Sequence, residues 1–486
     1  MGQAPSGGLD GRTSLGLSPI SATRVLGHYP WPADNLTSML RRLIMLLVVV
    51  LALAACNGSS DPTTTTTGES ETTTTTVSSE TTTTGVEVTT TTRPAAVSTT
   101  APDLSGLEGL SDEARQQLET LIGMAQEIRG LPFLNPPNIR VVTEDELEAL
   151  VREQIEEQAD DFPADEALYK MLGLLNEAAD FEQTVVDLYG EQVAGFYDGD
   201  AGEIVVPSRD DGLSLLQQGT MLHELVHALT DQHFSFNDTF QGMIDDERLD
   251  QASAYQALIE GDATFAEVMW VQTLSQQEIG QFLAQSLDVD MTAFNEAPRF
   301  LTESLLFPYD TGLSFVQDLY TSEADWSEVD EAYSTLPDLP GSTEQVITPD
   351  DYRRDLPVTV EIPDITIPGY ELERTSVWGE LGFRLMLNQG SGTDTVAVAA
   401  DGWGGDSYHQ WFDGENAALL VVYEGDSTSD TSELEEALLS FAMNDFPEDY
   451  FAWVDQLDGN LYFIAAHETT VGEQIRADVG LEEPAE

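Results

Sequence analysis

The chain has 486 residues, 41% of them hydrophobic, which is enough for two or three domains with sizeable cores. Its 88 acidic residues against 18 basic ones give a formal net charge of −70. Lys170 is the single lysine, and the absence of any basic stripe excludes nucleic acid as a partner, because phosphate binding needs clustered cations.

Residues 1–38 are rich in Gly, Pro and Ser without periodicity and read as a mis-called N-terminal extension, with Met39 as the real start. Arg41 and Arg42 then precede an unbroken apolar run, 43–55, that ends on Cys56. A basic start, a short apolar centre and small residues before the break form a secretory signal, and the run is too short to span a bilayer. Leu53-Ala54-Ala55-Cys56 resembles the bacterial lipoprotein signal box. That resemblance implies that 39–55 is a signal peptide and that Cys56, the single cysteine, is lipidated and anchors the chain to the extracytoplasmic face of the membrane. Residues 56–102 hold long threonine runs that cannot bury apolar surface, so they read as a disordered stalk.

From residue 104 the pattern turns globular. Residues 111–130 read as a helix capped by Ser111, 138–143 as a strand, and 144–158 and 164–188 as helices. Two apolar runs, 193–197 and 203–206, flank Asp198-Gly199-Asp200 and form a hairpin. That turn lacks the downstream glutamate of a calcium loop.

The next stretch, 220–234, contains His223-Glu224-Leu225-Val226-His227. On a helix, residues four apart share a face, about 5–6 Å between Cβ atoms, so one Zn²⁺ can take a nitrogen from each imidazole. Glu224 stands at the position of a general base toward an activated water. Leu222, Leu225, Val226 and Leu229 make an apolar stripe behind a polar face of Thr220, His223, His227 and Asp231. With six histidines in the chain, an accidental H-E-x-x-H on an ordinary amphipathic helix is rare, at roughly one in a hundred.

A catalytic zinc needs a third protein ligand. His233 has the spacing of the metzincin pattern, but Thr230 stands where that pattern needs glycine, and a continuing helix carries His233 about 120° away from His227. The order small sheet, motif helix, glutamate helix resembles the gluzincin metallopeptidases of the thermolysin type, and His227–Asp231 and Glu260-Gly261-Asp262-Ala263 carry the likeness. These stretches, with Gln192–Tyr197, Ser342–Gln345 and Gly402–Asp406, also resemble actinobacterial lipoproteins that bear gluzincin motifs. The resemblance implies Glu260 as third ligand, on a helix over 250–270 whose alanines and Gly261 permit close approach of another helix. Thermolysin relatives carry an aspartate four residues after that glutamate, where this chain has Thr264, so Asp231 or Glu267 is left to orient a ligand histidine.

Residues 277–287, 291–305 and 309–320 read as helices, and 337–348 as a Pro/Gly-rich crossing in which Ser342 caps a short helix. A boundary near 355 opens a C-terminal α+β module, 356–486: helices over 378–387 and 393–400, a glycine-rich turn at 402–406, a hairpin of 408–412 with 417–423, a helix over 432–444, a second hairpin of 451–456 with 461–466, and a closing helix over 471–479.

The sequence therefore predicts an α+β protein with a zincin-like domain over 103–355. The expected activity is zinc-dependent peptide hydrolysis with His223, His227 and Glu260 as ligands and Glu224 as base. Tyr309, Tyr408, His409 and His467 are candidate oxyanion donors. A peptide or protein is the substrate, the membrane is met through the lipid, and a non-catalytic zinc-binding surface lipoprotein is the rival reading.

Overall fold

The computed structural model describes residues 104–481, apart from 105–106, 158–160, 191–194, 335–337 and 389–392. The expected extension, signal peptide, Cys56 and stalk lie outside the described residues. No helix among those described is long and apolar enough to cross a membrane. The fold is α+β.

The first half opens with α1 (Asp112–Arg129), capped as expected by Ser111, which accepts the Ala114 N–H. Strand β1 (Asn138–Val142), helices α2 (Glu144–Glu157), α3 (Phe162–Met171) and α4 (Phe181–Gly190), and the hairpin β2 (Phe196–Asp198) with β3 (Glu203–Pro207) follow. The sheet order is β1-β3-β2, with β1 parallel and β2 antiparallel to β3. Alternation sends Ile204 and Val206 into the main core, while Phe196 and Val205 face Leu147 and Val151 of α2.

The H-E-x-x-H motif lies on α5 (Leu215–Phe234). This helix starts earlier than the sequence pattern suggests, because Ser214 and Gln217 form a capping box ahead of the apolar stripe. Every residue from Gly219 to Thr230 is buried. Thr220, His223 and His227 of the expected polar face are thus buried as well, while Asp231 is half-buried. After α6 (Phe236–Asp245) comes α7 (Leu249–Val271), which carries Glu260.

Helices α8 (Gln276–Leu287), α9 (Thr292–Glu296) and α10 (Arg299–Glu323) follow, with α10 packed along α7. At the crossing Gly261 meets Gly312, and a Cβ on either would overlap backbone of the other helix. The small residues of α7 therefore do permit a close helix approach.

Helices α11 (Ser327–Ala332) and α12 (Thr343–Ile347) lead to β4 (Glu371–Ser376), α13 (Gly379–Leu387), α14 (Thr393–Ala400), β5 (Trp403–Phe412), β6 (Ala417–Gly425), α15 (Thr428–Asn444), β7 (Phe451–Leu457), β8 (Asn460–Ala466) and α16 (Thr469–Asp478). Antiparallel pairing in the order β4-β5-β6-β8-β7 makes one five-stranded sheet. Leu419, Val421 and Tyr423 face a core shared with α13 and α15, and Leu420 and Val422 face one shared with α16.

Several expectations are corrected. The helix expected over 164–188 is two, broken where Gly173 takes φ 71°. The helices expected over 291–305 and 309–320 are instead the short α9 and the continuous α10, which carries Pro308 inside it. Ser342 precedes α12 but makes no capping bond. Residues Trp403–Asp406 belong to β5, with a bulge between Trp403 and Gly405, so the turn is confined to Gly402 at φ 75°. Strand β4 was not anticipated, because its exposed, charged Glu-Leu-Glu-Arg-Thr-Ser sequence has no apolar alternation.

A buried polar relay ties the two halves together at the start of α7. Asp250 accepts the Thr343 hydroxyl at 2.5 Å and its N–H at 3.2 Å, and the same hydroxyl accepts the Leu381 N–H. Asp406 accepts the N–H groups of Trp378 and Gly379 and the Trp403 indole. Gly379, at φ 72°, has no room for a Cβ beside Asp250.

Burial, opposed by the Thr343 bonds and reinforced by Asp406, raises Asp250 to about 7. Burial likewise raises Asp406 to about 6 against its three donors. Between the unfolded value of 3.8 and these folded values the native state holds the extra protons, so this contribution to stability falls as pH rises and levels off above about 7. Thermal unfolding from pH 4.5 to 7.5 is expected to show this decline, at most about 1.4 kcal/mol per pH unit for each group. Asp250→Asn is expected to flatten it, and a slope unchanged in that variant would contradict the assignment.

Candidate metal centre

Helices α5 and α7 bring together the three residues expected as ligands. His223 Nε2 lies 2.8 Å from His227 Nε2 and 3.1 Å from Glu260 Oε2, and His227 Nε2 lies 3.3 Å from the same oxygen. All three side chains are buried, and the group could hold a metal ion.

The donor set fits that role. Tetrahedral bonds of about 2.0–2.1 Å place ligand atoms about 3.3–3.4 Å apart, within a few tenths of an ångström of two of these separations. Two imidazole nitrogens and a carboxylate oxygen aimed at one another satisfy their lone pairs poorly among themselves. Glu260 Oε1 and the Nδ1 atoms of both histidines have no hydrogen-bond partner.

The electrostatics follow from the burial. Burial and the adjacent His227 push His223 down to about 4, against the Glu260 contact. Burial also disfavours the His227 cation, yet the charge and hydrogen bond of Glu260 raise its pKa overall. Glu260 meets the reverse balance: burial raises it, but the His227 charge and the contacts with both rings bring it down to about 2. His227 and Glu260 thus favour the charged form of one another.

Glu224 is fully buried beside the group. Its Oε2 accepts the Tyr197 N–H of β2 at 2.8 Å, and its Oε1 has no partner. Burial, with Glu260 adding to it and His227 and the Tyr197 N–H opposing, raises Glu224 to about 8.

Among the remaining sequence candidates, His233 is excluded as a ligand. Its Nε2 donates to the Pro132 carbonyl at 2.7 Å, away from the group, because α5 runs on to Phe234 and turns His233 to another face. Tyr309 does approach the site, its ring stacked 6.3 Å from that of His223. Tyr408, His409 and His467 do not. Tyr408 packs on Trp378 and His409 on Trp411, while His467 Nδ1 accepts the Ala417 N–H. Tyr408 and His409 lie on β5 and His467 directly follows β8, so all three belong with the five-stranded sheet. Asp231 accepts the Tyr197 hydroxyl at 2.7 Å and the Asn237 N–H at 3.0 Å, so it braces the β2 hairpin and α6 and leaves the ligand rings alone.

Sequence reasoning gave no role to Asp262, two residues past Glu260. It is buried and meets Arg129 Nε at 2.8 Å and the Tyr333 hydroxyl at 3.0 Å. Arg129 is itself buried, lies 2.6 Å from Asp330 through Nη2 and stacks 4.4 Å over Trp326. Burial works against the Arg129 cation, but Asp262 and Asp330 hold its pKa above the usual value. This pair fixes α7 against α1 and so sets the depth of Glu260. A hint was available in Arg129, a cation in the last turn of an otherwise apolar helix face.

Arg129→Ala is expected to strand Asp262 without a counter-charge and to cost about 3–5 kcal/mol in urea unfolding. A loss below about 1 kcal/mol would show that the pair does not hold the helices.

Comparison with known proteins touches a different part of the chain. Residues 369–471 match a family described as a domain of unknown function (DUF8575), a stretch that takes in the five-stranded sheet and stops short of none of its strands, while the metal centre lies outside it. No curated protein and no solved structure matches the chain.

Proposed function

We propose that the chain is a zinc metallopeptidase of the gluzincin type, held at the extracytoplasmic membrane face by a lipid on Cys56. The observation that carries the reading is the meeting of His223, His227 and Glu260 ligand atoms within 3.3 Å, with a buried carboxylate, Glu224, one residue from the first of them. A structural zinc site closes with four protein ligands and has no use for such a carboxylate.

His223, His227 and Glu260 would hold the ion. Zinc bound there would supply a Lewis acid that polarises a peptide carbonyl and makes a water a better nucleophile at neutral pH. Glu224 would take a proton from an attacking water and deliver it to the departing amine. Tyr197 N–H fixes Oε2, which leaves Oε1 as the oxygen that receives the proton. Strand β2 is the edge of its sheet, and an extended peptide laid beside it would run past Glu224. Tyr309, against the His223 ring, is the expected oxyanion donor of the four sequence candidates.

The test compares the full chain with its Glu224→Gln variant for zinc content and for cleavage of casein and a peptide library, with and without chelator. The expected result is hydrolysis that chelation abolishes and zinc restores. In the variant, zinc content is unchanged and kcat/KM falls by at least about 100-fold. Equal cleavage by the variant would remove Glu224 from the base role. A zinc-loaded wild type that cleaves nothing would instead favour the non-catalytic surface lipoprotein.

A further inference from the structure

A second carboxylate lies behind the metal group, on the side away from the ligand atoms. Glu267, two turns past Glu260 on α7, is buried, and neither of its oxygens has a hydrogen-bond partner. It reaches across to α5, where Oε2 stands 4.0 Å from His223 Nδ1. That nitrogen is also buried and also without a partner. A carboxylate oxygen and a ring nitrogen able to carry a proton, both without partners, thus stand 4.0 Å apart.

The backbone of α5 makes room for this carboxylate. Gly219, one turn before His223, packs so closely on Glu267 Oε1 that a Cβ there would overlap it, with Trp270 and Phe282 forming the rest of the wall. Glycine in a helix interior costs about 1 kcal/mol relative to alanine, so its place against this one side chain calls for a reason. A buried acid in an apolar wall is costly as well. Neither feature helps the fold.

We infer that Glu267 is a positioning residue for His223, seated by Gly219, and that it fixes the ring in the tautomer that leaves Nε2 free to bind a cation. The chemistry is direct. A neutral imidazole that offers Nε2 to a metal carries its proton on Nδ1, and an acceptor on that proton sets the ring orientation and raises the basicity of Nε2. Asp231 cannot serve, being committed to Tyr197 and Asn237. Thr264, on the turn of α7 between Glu260 and Glu267, is likewise without a partner for its hydroxyl, but a hydroxyl is a weaker acceptor for Nδ1–H than a carboxylate. The inference rests on the metal-binding part of the proposed function and is independent of peptide hydrolysis.

The test measures zinc affinity by competition with a chelator of known strength, and thermal unfolding of the metal-free protein, on the full chain and three variants. Glu267→Met is expected to leave the metal-free protein at least as stable as the wild type while zinc affinity falls about 10–100-fold. Glu267→Gln, whose carbonyl still accepts from Nδ1–H, is expected to recover most of that loss. Gly219→Ala is expected to weaken zinc in the same direction by displacing the carboxylate. With ¹⁵N-histidine labelling, the metal-free wild type should show His223 protonated at Nδ1 and Glu267→Met should lose that preference. A purely structural Glu267 would give the opposite pattern, a lower unfolding temperature with zinc affinity and ring tautomer unchanged, and would overturn the inference. Should Glu267→Met fail to fold, unchanged zinc affinity in Gly219→Ala and Glu267→Gln together with an unchanged tautomer in both would overturn it equally. If zinc binding behaves as expected but no variant, nor the wild type, cleaves peptides, the peptidase reading fails and the positioning role stands.

Discussion

The site depends on how closely two helices can cross. Glu260 reaches two imidazoles on α5 only because α7 is lined with alanine and glycine and is pressed from behind by α10 at the Gly261–Gly312 contact. Larger residues at that crossing would move α7 by more than the few tenths of an ångström that a ligand set tolerates. Arg129 and Asp262 then fix the helix lengthwise, and the Asp250–Thr343 relay fixes its first turn to the C-terminal half. Three separate constraints therefore converge on one carboxylate.

Such a site is expensive for the fold. Two histidines, Glu224, Glu260 and Glu267 lie in or beside a core otherwise built from Leu, Val and aromatic side chains, and several of their polar atoms have no partner within the protein. Interiors avoid this unless the groups have a further use, since each unsatisfied buried polar atom costs about 1–3 kcal/mol. Beside the rings these are both Nδ1 atoms, Glu224 Oε1, Glu260 Oε1 and the two Glu267 oxygens. Asp406, buried in the C-terminal half, has three donors by comparison.

How much of this was legible in the sequence varied with the physics. The motif helix was readable, because the spacing of two ligands on a helix is fixed by its 3.6-residue turn, while Glu260 as their partner followed from the resemblance to the gluzincins. Strand β4 was not, since an edge strand with exposed charges lacks the alternation that betrays a buried face. The single helix expected over 164–188 failed at Gly173, because the apolar residues continue past the point where the helix ends. Tyr408, His409 and His467 were drawn into the site by residue type alone, and only tertiary structure shows that they serve another sheet. Arg129 meets Asp262 across 133 positions, and no local pattern announces such a pair.

The central claim is that one cation joins α5 to α7. Zinc-edge X-ray absorption on the full chain, with metal stoichiometry determined on the same sample, tests it most directly. The account predicts one zinc per chain with two imidazole nitrogens and a carboxylate oxygen at about 2.0–2.2 Å. Zinc at well below one per chain, or a first shell made of oxygen without imidazole, would contradict it.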